Sequence, residues 1–303
     1  MTTDAQSLAA RSTTVPAKAR PLWHKRKAVR SYIGRTVAFV LAAAGAISFV
    51  APFVWAVSTS LKTPAQVFVF PPEWIPNPVQ FSNYPDALTE IPFGRFFLNS
   101  TIITGTCLIG SVLTSILVAY GFARIEFPGR DVLFMILLGT MMLPAQVTMI
   151  PVFIIFRILD WIDTFYPLIV PSYFGSAFYI FLLRQFFLTI PLDLEDAARI
   201  DGAGRVQFLW RILVPLSGPA IATVAVFSFM ANWQDFFMPL IYLNSKEKLT
   251  LPLGLRMFRD EYGGAQWELM MAAVVVTTLP SLILFFVAQR YFISGIVMTG
   301  MKG

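Results

Sequence analysis

Leu194-Glu-Asp-Ala-Ala-Arg-Ile-Asp-Gly202, continued by Ala203-Gly-Arg-Val-Gln-Phe-Leu-Trp-Arg-Ile-Leu-Val-Pro-Leu-Ser-Gly-Pro219, is a charged interruption in an otherwise apolar chain. Pro191 and Asp193 offer a helix start, and Asp196 stands where a capping box would return a hydrogen bond. Gly202 is expected to end this short helix. Leu194, Ala197, Ala198 and Asp201 recur at i, i+3, i+4 and i+7, giving one small or apolar face with Glu195, Asp196 and Arg199 directed elsewhere. Alanines permit close approach to a groove. Phe208 and Ile212, four apart, lead into the next apolar run, so a push on the short helix would move a membrane helix. Two readings stand: a docking element, or a solvated loop with ordinary caps.

Outward from this stretch, the chain is 56% hydrophobic and 13% charged, about half the charged share of a soluble domain, and its mean hydropathy is +0.68. These values exclude an ordinary soluble domain and predict an all-α integral membrane protein. Six charge-free runs, 36–61, 96–123, 132–156, 164–183, 212–234 and 269–289, each reach the roughly 20 residues that a bilayer-crossing helix needs. Six transmembrane helices are expected, with both termini on one side. Basic residues number eight before Thr36, two between runs two and three, four in 184–211 and two after run six, 16 against 7 in the other connections. The richer side is expected to be cytoplasmic, which places both termini and the loop 191–215 there.

The formal charge of +6 is largely this asymmetry. The bases sit at run boundaries and not on one face, which argues against nucleic acid binding. Cys107, the only cysteine, precludes an intramolecular disulfide and reads as packing. His24, the only histidine, leaves little for histidine-based metal or acid–base chemistry. Residues 1–35 are basic, with Asp4 the only acid and Pro16 and Pro21 opposing a helix; a disordered tail is expected ahead of a six-span domain at 36–303. A transit peptide has a similar composition, whereas the first apolar run begins too late for a secretory signal.

Between Lys62 and Arg95, Pro64, Pro71, Pro72, Pro76 and Pro78 accompany Phe68, Phe70, Trp74 and Tyr84. This predicts an extended path whose aromatics suit the membrane surface or an external partner. In the third run Pro144 and Pro151 flank Gln146 and Thr148; they are expected to bend or break the helix and free carbonyls that line a cavity or pack on neighbours. In the fifth run Ser228, Asn232 and Asp235 form one stripe, with Trp233 and Gln234 off it. An ionisable residue at the end of an apolar run faces protein or water. Counted from Val214, Asp235 lies about 30 Å along a helix, so it is either interfacial or part of a lining. Phe229, Trp233 and Phe236 beside an amide and a carboxylate suit a sugar, which has hydroxyls and apolar C–H faces.

The opening stretch resembles the signature of integral-membrane subunits of bacterial ABC importers: Glu-Ala-Ala, three residues, Gly, nine residues, Ile, one residue, Leu-Pro. Here Asp196, Ala197, Ala198, Gly202, Ile212, Val214 and Pro215 keep the spacing, with Asp for Glu and Val for Leu. Glu195 beside Asp196 leaves open which carboxylate takes the motif's role. The chain is also similar to the maltose/maltodextrin group in Ser-Leu-Lys-Thr-Pro (60–64), Phe-Pro-Pro-Glu-Trp (70–74), Phe-Leu-Asn-Ser (97–100), Phe-Leu-Leu-Arg-Gln-Phe-Phe (181–187), Leu-Thr-Leu-Pro-Leu-Gly-Leu (249–255) and the ending Gly-Ile-Val-Met-Thr-Gly-Met-Lys-Gly. Trp233, Gln234, Asp235, Pro239 and Leu240 match a family pattern that has Asn in place of Gln234. The resemblance covers residues 51–303.

It implies the type I ABC importer permease fold, with Glu195, Asp196, Ala197, Ala198, Asp201, Gly202, Ile212 and Pro215 coupling to ATPases, and Gln146, Ser228, Asn232, Trp233, Gln234 and Asp235 along a translocation path for a carbohydrate or polyol. It also implies the partners: a second permease subunit, two cytoplasmic ATPases, an extracytoplasmic solute-binding protein and membrane lipid, in a bacterial cytoplasmic (inner) membrane. The sequence has no Gly-x-x-x-x-Gly-Lys-Ser/Thr loop, so ATP and Mg are expected on partner subunits and no cofactor on this chain. Enzyme motifs such as Gly-x-Ser-x-Gly or His-Glu-x-x-His are also missing from it. The alternative is a secondary transporter, which normally shows paired halves or buried coupling residues.

Overall fold

A computed structural model describes residues 22–260 and 265–300, with side chains at 32–144, 146–259 and 265–289. The described residues are helical, with no strand among them. Of the tail expected at 1–35, residues 1–21 and the ending 301–303 lie outside the described residues, while 22–35 open a helix, α1 (Leu22–Ser60). No proline or glycine lies between Leu22 and Ile33 to oppose it. The chain divides into two units, Met1–Val54 and Trp55–Gly303. The described part of the first is α1, whose Phe39, Leu41, Ile47 and Phe49 are exposed, as a lipid-facing helix requires.

The second unit begins with the end of α1 and the proline-rich segment, which folds back on itself. The Ser58 hydroxyl donates to Trp74 O at 2.6 Å and Gln80 N to Leu61 O at 2.8 Å. Asn83 Nδ2 donates to both Ser60 O and Lys62 O, at 2.9 and 2.8 Å. There follow α2 (Asn83–Glu90), α3 (Phe93–Arg124), α4 (Arg130–Thr140), α5 (Ala145–Ile158), α6 (Tyr166–Ile169) and α7 (Ala177–Thr189). The loop 191–215 contains α8 (Asp193–Ile200), α9 (Arg205–Phe208), a π turn at Leu209–Leu213 and the start of α10 (Val214–Leu216). The rest is α11 (Gly218–Trp233), α12 (Phe237–Tyr242), α13 (Leu251–Gly254), α14 (Met257–Asp260) and α15 (Trp267–Gly300).

Four stretches are long and apolar enough to cross a bilayer: Tyr32–Ser60, Phe93–Arg124, Tyr166–Thr189 and Trp267–Gln289. A fifth is a pair, Arg205–Leu216 and Gly218–Trp233, bent by 80°. The six runs expected are therefore four spans, one bent pair and one broken run. The third run breaks where expected, at Pro144, which caps α5, while Pro151 stays inside α5. Proline has no N–H to continue the ladder and disfavours helix at Leu143. Met141, Met142 and Leu143 instead make i→i−3 bonds to Leu138, Gly139 and Thr140. The bend before α11 falls at Pro215, Ser217, Gly218 and Pro219, for the same reason.

α3 runs between two cores. Near its C-terminal end Ile116, Ala119, Tyr120 and Ala123 pack with Ile180, Leu183 and Phe187 of α7, Ala198 of α8, Phe208, Leu213 and Val224. Near its N-terminal end Phe93 and Phe96 pack with Ala87, Trp233, Leu251, Phe258, Ala272 and Ala273. Small buried residues along α3, among them Thr104, Cys107, Ser111 and Ser115, let neighbouring helices approach closely. A Cβ at Gly254 would collide with the Phe96 ring, so a glycine is needed where α13 lies against α3.

Candidate functional site

α8 has three acids in its first turn, Asp193, Glu195 and Asp196, and Arg199 in its last, which complements the helix dipole. The capping box expected here is not formed: Leu192 is the N-cap and makes no side-chain cap bond. The first turn is closed by the backbone, Glu195 N and Asp196 N donating to Leu192 O at 2.8 and 3.1 Å. The helix does end at Gly202, whose φ is +81°. Gly202 N donates to Arg199 O and Ala203 N to Ala198 O, at 3.0 and 2.8 Å, a Schellman motif that needs a residue at ease in the left-handed region.

The inward face of α8 differs from the one the spacing suggested. Glu195 and Ala198 are buried, while Leu194, Asp196, Ala197, Arg199, Ile200 and Asp201 are exposed. Ala198 therefore leaves the Leu194–Ala197–Asp201 face and packs into the core. Of the two adjacent carboxylates, Asp196 points outward and Glu195 inward. Ile200 is 86% exposed, Val206 71% and Leu192 63%, an apolar surface on a charged loop that no described residue covers. Phe208 is buried, Ile212 is half-buried against the same core, and Pro215 is exposed at the bend.

Glu195 turns inward because two guanidinium groups hold it. Arg199 Nη2 lies 2.8 Å from its Oε1, and Arg124 Nη1 lies 3.8 Å from its Oε2. Arg124 is the last residue of α3, its side chain 1% exposed, and its Nη2 donates to Phe187 O and Ile190 O, both at 2.6 Å. Phe187 O also accepts from Ile190 N at 3.3 Å, so the guanidinium adds a second donor there and supplies one to Ile190 O at the end of α7. One turn earlier, Tyr120 Oη donates to Arg205 O at 3.3 Å. Arg184 Nε donates to Phe122 O at 3.2 Å, with its guanidinium 4.1 Å from the Phe134 ring centre on α4. Sequence reasoning missed Arg124; its signal was a lone base closing an apolar run.

The stripe on α11 is divided. Asn232 and Asp235 line a cavity of about 290 Å³ together with Ser100, Phe156, Tyr242 and Thr250. Asn232 Nδ2 donates to Ser228 O at 2.7 Å, and Asp235 Oδ1 accepts from Phe237 N and Met238 N at 3.1 and 3.2 Å. The Thr250 hydroxyl is buried without a hydrogen-bond partner among the described residues. Ser228 is fully buried, away from the cavity lining. Trp233 is a core residue: 3% exposed, stacked on Phe229, its Nε1 donating to Thr277 O at 3.0 Å. Gln234 is the exposed C-cap of α11, and Gln146 is exposed on the first turn of α5 outside the cavity lining.

Beside the cavity, Asp163 fastens the segment that follows α12. Its backbone N–H donates to Tyr242 O at 2.8 Å. Its carboxylate accepts from Asn244 N, Ser245 N and the Ser245 hydroxyl, and pairs with Lys248 at 3.0 Å. Burial raises this carboxyl, but the Ser245 hydroxyl, the two backbone N–H groups and Lys248 together outweigh it and hold it well below the usual carboxylate range.

Residues 111–297 match the family described as binding-protein-dependent transport system inner membrane component. The sulfoquinovosyl glycerol transport system permease protein SmoH of Agrobacterium fabrum is 30% identical over 90% of this chain and 95% of its own. The sn-glycerol-3-phosphate transport system permease protein UgpE of Yersinia pestis is 33% identical over 77% and 85%. The arabinooligosaccharides transport system permease protein AraQ of Bacillus subtilis is 35% identical over 69% and 74%. Among solved structures, a chain of a bacterial ABC transporter involved in the import of the acidic polysaccharide alginate superposes with a TM-score of 0.78 at 27% identity, covering 87% of this chain and 98% of that one.

Proposed function

Because the chain belongs to the family of inner membrane components of binding-protein-dependent transport systems, we propose that it forms half of the translocation pathway of an ATP-driven importer. Its solute is a carbohydrate or related polyol. The chain is an integral-membrane permease subunit of an ABC importer, and the ion-gradient alternative finds no support in that family. Relatives named for a sulfoquinovosyl glycerol, a glycerol phosphate and arabinooligosaccharides share polyhydroxylated solutes. The cavity at Asn232, Asp235 and Thr250 offers amide, carboxylate and hydroxyl groups beside Phe156 and Tyr242, the mixture a sugar requires. The assembly contains a second permease subunit, two cytoplasmic ATPases that bind and hydrolyse ATP with Mg, and an extracytoplasmic binding protein, in the bacterial inner membrane. This chain binds no cofactor of its own.

The observation that carries the coupling role is the two-sidedness of α8. Glu195 and Ala198 are buried against the membrane helices, while Asp196, Ala197, Ile200 and Asp201 are exposed. A short helix held on one side and bare on the other is built to receive a partner. ATP-driven closure of the ATPases displaces α8 and, through Phe208, Ile212 and the bend at Pro215, tilts α11. The test is an Asp196→Cys variant carrying a short cross-linker in native membrane. Capture of an ATPase subunit is expected; capture of lipid or of no protein would remove the docking assignment.

A further inference from the structure

Arg124 is buried as a pure structural cap need not be. Capping the end of α7 uses only its Nη2, yet Nε and Nη1 are also buried and lack hydrogen-bond partners among the described residues. Burying a guanidinium with donors unmet opposes stability, and an apolar side chain would fill the same volume more favourably. What the guanidinium supplies is a directional tie. Its Nη1 faces Glu195 at 3.8 Å, ion-pair range but short of a hydrogen bond, and the Glu195 side chain is only 7% exposed. Tyr120, one turn away, bonds Arg205 beyond Gly202, so the end of α3 holds the loop on both sides of its turn.

Resting on the reading of α8 as the ATPase-docking helix, we infer that Arg124 is a positioning residue for transport: through Glu195 on one side and the Phe187 and Ile190 carbonyls on the other, it makes α3 and α7 follow α8. Phe208 and Ile212 link α8 to α11 along the chain; Arg124 provides a second connection, across it. Lysine keeps the charge but lacks the fork that reaches Glu195 and two carbonyls at once. Both Arg124→Lys and Arg124→Gln should therefore weaken coupling.

The experiment uses the assembled transporter from its native membrane, with ATPase activity read with and without solute-loaded binding protein. In both Arg124 variants solute stimulation is expected to fall about tenfold, while ATPase subunits co-purify and unstimulated hydrolysis stays at the native rate. Glu195→Gln added to Arg124→Gln should cost little more than either alone, since the two act on one link. Native stimulation in both Arg124 variants would overturn the assignment. Should the variants fail to assemble, hydrogen exchange in the unaltered complex decides. Trapping with a non-hydrolysable ATP analogue should alter protection at 187–190 together with α8, and a change confined to α8 would overturn it. Failure of Asp196→Cys to capture an ATPase would instead count against the docking reading beneath it.

Discussion

Two neighbouring carboxylates, Glu195 and Asp196, differ by one residue and do opposite things. The 100° step of a helix turns Glu195 onto Arg124 and Arg199 and leaves Asp196 in solvent. The motif's spacing falls on Asp196, and Asp196 is the one of the two that is exposed. Gly202 acts through its backbone: its φ is +81° and an added Cβ would meet nothing within 4 Å. Gly202→Ala should cost about 1–2 kcal/mol of local stability and lower solute-stimulated ATPase activity modestly. Gly202→Trp should block coupling with membrane insertion intact, the excess over Ala coming from a partner, since the chain itself leaves room. Equal effects of Ala and Trp would place no partner at that turn. Asp163 makes a pH prediction. Its folded carboxyl titrates below the usual range, so its stabilisation is complete above the unfolded value of about 3.9 and is lost as pH falls through the lower folded value. Asp163→Asn should lower the melting temperature at pH 7, and the gap to the native protein should narrow only below about pH 4. A gap already closing at pH 6 would contradict the hydrogen-bond account.

At the scale of elements, α11 carries the clearest consequence. The fifth apolar run reads as a continuous helix from Ile212, but the bend at Ser217 starts α11 at Gly218. From Gly218 to Trp233 a helix rises only about 24 Å. Asn232 and Asp235 thus sit at the end of a short helix, where Asp235 also holds the start of α12. Asn232→Leu should lower transport rate about tenfold with assembly preserved, by removing an amide from the cavity. Asp235→Leu should do the same and also loosen α12, visible as faster exchange at 237–242. A double variant that transports at the native rate would reduce both residues to packing. Trp233, stacked on Phe229 inside the core, should instead lose stability on truncation, by about 3–5 kcal/mol.

For the whole molecule, orientation rests on charge. From the 16 to 7 split of basic residues the loop 191–215 is expected on the cytoplasmic side, and cysteine labelling can test this cleanly because Cys107 is buried. Ile200→Cys should react with an impermeant maleimide only in inverted vesicles, and Glu247→Cys only in intact spheroplasts. Both are exposed positions. Labelling of both from the same side would overturn the topology.

Composition and charge-free run length were enough to determine a helical membrane protein, because a bilayer allows the backbone few ways to satisfy its hydrogen bonds. Local chemistry also wrote the break at Pro144 and the turn at Gly202, since proline and glycine act on their own φ and N–H. The motif spacing marked the loop 191–215 as a resemblance to ABC importer permeases, the family to which the chain belongs. Only the tertiary structure decided which way each polar residue faces. Glu195 turned inward because Arg124, remote in sequence, reaches it; Trp233 entered a core to which α3 and α15 contribute; Asn232 and Asp235 parted from Ser228 because α3, α5 and α12 close around the end of α11. Such choices depend on contacts between distant segments, and no periodicity within one helix contains them.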